Sequence, residues 1–174
     1  SVRTHDFDFM LDLYERVPQV NMVFATSTEI KLADPDRTIS NEQAGISRRV
    51  PVLIVSDGLF RAWRGRLQSG RVFDRHDVLA SAPVALTTTG LNDDLTFTQR
   101  ESPAKIFLKG LPLDVVGVWN FGEKTMEENH SLILPLSLAA WLGDAATLRF
   151  SKVVLEGDPV TAMDNLKLAV DRLQ

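Results

Sequence analysis

The stretch from Ser102 to Trp119, SPAKIFLKGLPLDVVGVW, sets two alternating apolar segments on either side of a glycine and a proline. That arrangement predicts a β-hairpin. Ile106 and Leu108 point one way, with Lys105, Phe107 and Lys109 between them; on the return arm Leu113, Val115, Gly117 and Trp119 alternate with Asp114, Val116 and Val118. The reversal is expected at Gly110 to Pro112, because glycine accepts positive φ while proline fixes φ and withholds a donor. Apolar residues fall on both faces around Val115 to Val118, so the return arm is expected to be a central strand.

Upstream of the hairpin the chain alternates between helix and strand signals. Asp6 to Val17 places Phe7, Met10, Leu11 and Tyr14 at helical spacing, with Asp6 and Asp8 in the first turn and Pro18 as the stop. Val20 to Leu32 and Ile46 to Val55 are rich in β-branched and aromatic residues and predict strands. Ala33 to Gly45, between them, is polar and predicts an exposed loop. Ser56 and Asp57 suit the start of a short helix, Gly58 to Trp63. A turn-rich connection with Gly65, Gly70 and five arginines (Arg61, Arg64, Arg66, Arg71, Arg75) then leads to a strand at Pro83 to Thr88 and a helix at Leu91 to Gln99.

Downstream, Phe121 to His130 is polar and predicts a projecting loop. A strand at Leu132 to Leu136 follows, then a helix Leu138 to Leu142 capped by Ser137 and closed by Gly143, and a strand at Phe150 to Glu156. Asp158 and Pro159 start a last helix with Val160, Met163, Leu166, Val170 and Leu173 in one stripe. No Gly or Pro closes it, so it is expected to continue in a longer parent protein. The start at Ser1, without Met or a signal peptide, carries the same expectation.

With 174 residues, 44% of them hydrophobic, the chain is long enough for one folded unit, in one or two lobes. A net charge of −4 supplies no field for a phosphate polymer, so nucleic acid is not an expected partner. Zero cysteines exclude a disulfide framework and thiolate chemistry without assigning a compartment. The nearly uncharged run Ser131 to Gly143 is shorter than the ~18 residues a membrane span needs, and Pro135 interrupts it.

Catalytic signals are thin. His5, His76 and His130 are scattered in polar contexts and read as surface residues. Glu127 and His130 form a single E-x-x-H in a loop, where a di-iron site needs the motif twice, on helices. Gly65 to Gly70 has phosphate-loop spacing, but Arg71 and Val72 stand where Lys and Ser or Thr belong. The arginines around Trp63 read as an ion-paired surface beside Asp57, Asp74 and Asp77 rather than an anion site. No catalytic, cofactor or metal residues are assigned. Should the chain be a free-standing enzyme, His76 with Asp77 or Glu127 with His130 would be its acid–base groups.

Taken in order, several segments resemble the MacB-like periplasmic core domain, the extracytoplasmic module of ABC-transporter permeases of the MacB, lipoprotein-release and FtsX-like group. They are the opening helix with Pro18, Val55 to Phe60, Leu67 to Phe73 with Asp77, Ala82 to Leu86, Ser102 to Gly110, Val115 to Val118 and Ile133 to Ser137. The resemblance implies an α+β fold in two lobes: a porter-like βα lobe from residues 1–62 plus 131–174, and an inserted α/β lobe from 63–130. It further implies a domain inserted between two membrane helices, on the periplasmic side, with both ends toward the membrane. The expected role is to transmit conformational change from cytoplasmic ATP hydrolysis, on another subunit or domain, to substrate export or to a periplasmic adaptor. The alternatives are an FtsX-like regulator that recruits a cell-wall hydrolase and the enzyme just described. Partner contacts are expected on the two projecting loops, at Asp34, Asp36, Arg37, Phe121, Glu123, Lys124 and Met126.

Overall fold

The computed structural model describes residues 11–17, 20–32, 46–62, 65–99, 105–122, 128–142, 149–155, 158, 160–161, 163–165 and 167–168. Helix α1 is described over residues 11–16 and leads into the long strand β1, Val20–Leu32. The order continues β2 (Ile46–Val55), α2 (Leu59–Ala62), β3 (Arg66–Gly70), α3 (Arg75–Leu79), β4 (Val84–Thr88), α4 (Thr89–Gln99), β5 (Lys105–Leu108) and β6 (Leu111–Asn120). A 3-10 turn at Glu128–His130, strand β7 (Leu132–Pro135), a 3-10 helix at Leu136–Leu142 and strand β8 (Arg149–Leu155) complete the body. Helical residues at 160–161, 163–165 and 167–168 form α5.

All eight strands belong to one sheet. Strand β1 pairs with β2 along one edge, and along the other with β8 at its start and β5 at its end. Strand β2 runs parallel to β7, β7 antiparallel to β4, β4 parallel to β6, and β6 antiparallel to β5. Because β5 returns to β1, these ladders close a circuit, which removes edges that would otherwise expose unpaired amides. Strand β3 lies outside it and, among the described residues, pairs only with β6.

The hairpin forms as expected, with β6 central between β4 on one side and β5 and β3 on the other. Its turn differs. Leu108 pairs with Leu111, so the reversal is Lys109–Gly110, with φ of 47° and 83°. A two-residue loop with both φ positive matches the right-handed twist of the strands. Pro112 is inside β6 opposite Phe107, not in the turn. The expected alternation also slips: the β4–β6 register shifts between Ala85 and Leu86, where Val115 is followed by Gly117, and beyond it Gly117, Val118 and Trp119 are all buried.

The buried cluster is continuous. It joins Tyr14, Met22, Phe24, Ile54 and Leu59 to Leu86, Leu91, Ile106, Leu113, Ile133 and Leu134. Ladders β1–β5 and β4–β7 cross the division placed at residues 62/63 and 130/131, so the two segments share a sheet and a core. Strand β3 and helix α3 occupy what the sequence presented as a turn-rich connection. All five β3 residues are exposed, which is why no apolar alternation announced it.

Three local expectations change with tertiary context. Ser56 is buried against β1, and Ser137 accepts a hydrogen bond from the Ser81 amide at 2.8 Å, so both hydroxyls bind distant segments. The first residues of the α5 stripe do not face the core: Val160 is 69% and Met163 40% exposed. The remaining stripe residues, Leu166, Val170 and Leu173, lie outside the described residues, as do Phe7 and Met10 of the opening helix. Among the described residues no helix is long and apolar enough to cross a membrane.

Candidate functional site

Helix α1 buries Leu13, Tyr14 and Val17 against the sheet, an i, i+1, i+4 set on one face. Tyr14 is the largest of these. Its ring is 1% exposed and its hydroxyl donates to the carboxylate of Asp57, in the corner between β2 and α2. Above the ring stands Arg75, the first residue of α3, with its guanidinium carbon 5.3 Å from the ring centroid. Arg75 also donates to the main-chain oxygen of Glu15 at 3.0 Å. The helix is thus gripped from two directions, by the end of β2 and by α3.

The grip has an electrostatic signature. Burial, then the hydrogen bond to Asp57 and its negative charge, raise the Tyr14 hydroxyl well above the ordinary tyrosine range, against partial opposition from Arg75 and Arg61. The neutral, donating phenol is the form this site favours.

Beneath the grip is a fully buried polar corner. The Met22 amide donates to Ser56 Oγ at 3.0 Å, Ser56 Oγ donates to Asn21 Oδ1 at 3.2 Å, and the Ser56 amide donates to Met22 O at 3.3 Å. These bonds stitch the start of β1 to the end of β2. The other end of the Asn21 amide, Nδ2, is buried without a hydrogen-bond partner. Gly58 packs so closely on it that a Cβ there would come within 2.3 Å of Asn21 Oδ1.

Helix α3, which carries Arg75, is itself braced. Asp74 and Asp77 form a capping box: the Asp77 amide donates to Asp74 Oδ1 at 2.8 Å and the Asp74 amide to Asp77 Oδ2 at 2.9 Å. Arg71 adds an ion pair to Asp77 Oδ2 at 2.6 Å. Burial would lift the Asp77 carboxyl, but Arg71 and the Asp74 amide outweigh it and hold the group below the usual carboxylate range. His76, beside it, is exposed. Asp77 is therefore committed to α3 and Arg71 rather than arranged as an acid–base partner of His76.

The segment expected to project, residues 121–130, is tied together at its described ends. Asn129 accepts from the Phe121 amide at 2.8 Å and donates to Gly122 O at 2.9 Å. His130 Nδ1 lies 3.3 Å from Asp94 Oδ2 on α4, and the same oxygen meets Arg48 of β2 at 2.7 Å. Phe121, expected at a partner surface, is 7% exposed and stands edge-on to Trp119 at 6.4 Å, so its ring belongs to the core. Asp34, Asp36, Arg37, Glu123, Lys124 and Met126 lie outside the described residues, as do His5, Arg64 and Glu127. Arg61 and Arg66 are exposed, and Gly65 to Gly70 is strand β3 with its approach, not a phosphate loop. Among the described residues no group of three or more His, Cys, Asp or Glu is placed to hold a metal ion.

The Tyr14–Asp57–Arg75 grip is not legible in the sequence because Asp57 and Arg75 stand 43 and 61 positions after Tyr14, and no spacing rule spans that distance. Tyr14 was visible only as one apolar position in a helix stripe. The arrangement ties α1 both to the corner after β2 and to α3.

A mixed sheet preceded and followed along the chain by helices defines an α+β domain, and its fold is shared with extracytoplasmic regions of ABC transporters. The periplasmic region of MacB from Actinobacillus actinomycetemcomitans superposes with a TM-score of 0.64 at 15% identity, covering 99% of this chain and 74% of that one. The extracellular domain of the ABC-type transporter YknZ from Gram-positive bacteria gives 0.60 at 17% identity, covering 98% of this chain and 84% of that one. No protein-family model matches the sequence, and no curated protein matches it.

Proposed function

We propose that this chain is the extracytoplasmic domain of an ABC-transporter permease and that it passes conformational change, driven by ATP hydrolysis on another subunit or domain, to the far side of the membrane. The observation that carries the reading is the pairing of Val20 with Leu155, which brings the start of β1 and the end of β8 together. Helices α1 and α5 therefore adjoin the same end of the sheet, the geometry needed for two tethers into one membrane. Agreement with transporter domains over nearly the whole chain supports it.

In this reading α1 is a lever and Tyr14, Asp57 and Arg75 its bearing. A stiff helix transmits motion when the body it packs on has two arrangements of similar energy. A periplasmic adaptor or hydrolase would meet the polar segments 33–45 and 123–127, through Asp34, Asp36, Arg37, Glu123, Lys124 and Met126.

The test is to express the complete natural gene product and fractionate it. Recovery in the membrane, together with an ATP-hydrolysing subunit or domain, is expected. A full-length product that stays soluble and has no associated ATPase would overturn the reading.

A further inference from the structure

We infer that Asp57 is a two-position latch, whose carboxylate holds Tyr14 in the arrangement described here and takes the side-chain amide of Asn21 when α1 lifts away. This rests on reading α1 as the moving part, yet it is a property of the isolated chain.

Asn21 is 0% exposed and its Nδ2 has no partner among the described residues. Leaving a buried donor unpaired carries a penalty of roughly ten- to a hundredfold in the folding equilibrium. Turning the amide over would pair Nδ2 with Ser56 Oγ but take from Oδ1 the donor it has now, the Ser56 hydroxyl. The amide is pressed between the two residues that flank Asp57. Its oxygen is 3.2 Å from Ser56 Oγ, and a Cβ on Gly58 would lie 2.8 Å from Nδ2. An acceptor able to satisfy it therefore belongs to the residue between them, Asp57, whose carboxylate is at present turned to Tyr14 through Oδ1.

Each arrangement leaves one donor out. With α1 seated, Tyr14 is bonded and Asn21 Nδ2 is not; with α1 lifted, the phenol reaches water and Asn21 gains the carboxylate. The orphan amide lowers the stability of the seated state and its rescue raises that of the lifted one, which narrows the gap between them. Gly58 is required because any side chain there would fill the space the amide occupies.

Tyr14→Phe removes the hydroxyl while keeping the ring beneath Arg75, so it frees the carboxylate without emptying the core. In the isolated domain carrying this change, the Asn21 side-chain amide protons, followed by NMR, should exchange with solvent at least ~tenfold more slowly than in the parent. Unfolding in urea gives the second readout: Tyr14→Phe should reduce the folding equilibrium constant at least ~fivefold more in an Asn21→Val background than in the parent, because only the parent offers the carboxylate a new partner. Equal losses in the two backgrounds, or unchanged amide exchange with Asp57 turned to Arg75, Arg61 or solvent, would overturn the inference. Either outcome leaves the transporter reading standing, since that reading is decided by membrane recovery and ATPase association.

Discussion

Replacing Gly117 by alanine tests the packing of β6 against β3 at a point of close main-chain approach. An added Cβ would lie 2.5 Å from Arg71 O, 3.0 Å from Ser69 O and 3.1 Å from Arg71 N. All three atoms are main chain and all belong to β3 or the residue after it, so no side chain can swing aside. Reaching ordinary contact, about 3.4 Å, requires a shift of roughly 0.9 Å between β3 and β6, and forced overpacking of this kind costs about 1–3 kcal/mol. Strand β6 is held by β4 and β5 as well, whereas β3 is exposed throughout and, among the described residues, paired only to β6, so β3 is the strand that gives. Urea unfolding of Gly117→Ala should therefore show a loss of about 1–3 kcal/mol, equivalent to a Tm lower by about 3 to 10 °C for a chain of this size. Hydrogen exchange should accelerate at Arg66 to Arg71 while β4 amides stay protected. An unchanged midpoint, or loss of protection spread equally over β4, would refute the reasoning.

Other changes probe the remaining joints. Asp77→Asn should cost about 1–3 kcal/mol at pH 7 by unpairing Arg71 and the capping box, read from the urea midpoint. Because the folded state holds Asp77 below its ordinary value, its contribution is complete above the unfolded carboxylate range and fades as pH falls through the folded value; the parent should lose more stability than the variant between pH 5 and pH 3. For Tyr14 the sign is opposite: the folded state favours the protonated phenol, so its contribution holds below the unfolded tyrosine value near ~10 and declines as pH rises past it. Midpoints measured from pH 8 to 11 should fall more steeply in the parent than in Tyr14→Phe. Gly110→Ala, at φ 83° in the hairpin turn, should cost about 1 kcal/mol, measured in the same assay.

The strands with a paired neighbour on either side, β1 and β2, were the most legible part of the chain. Val20–Leu32 and Ile46–Val55 have the limits read from their β-branched and aromatic content, because burial and propensity agree there. Strand β3 was not legible: RLQSG contains one apolar residue, and main-chain pairing to β6 makes it a strand. Helix α3 was hidden by its five-residue length, although the Asp74–Asp77 spacing is a helix-start signal that reads as a capping box once drawn. Pro112 drew the turn two residues downstream, but its missing donor is tolerated opposite Phe107 and the positive φ angles fall on Lys109 and Gly110. The Tyr14–Asp57–Arg75 grip depends on contacts between segments far apart in sequence, where local pattern carries no information.

The central claim is that α1 moves relative to the sheet as nucleotide is bound and hydrolysed. Glu15 on α1 and Ala140 on the 3-10 helix are both exposed, and the chain has no cysteine of its own, so Glu15→Cys with Ala140→Cys would give this domain a single pair of spin labels. Electron–electron distance measurements on the complete permease, in membranes with its own cysteines replaced, should give one distribution without nucleotide and a distinct one with trapped ATP. The same distance in both states, in a protein shown to hydrolyse ATP, would contradict the account.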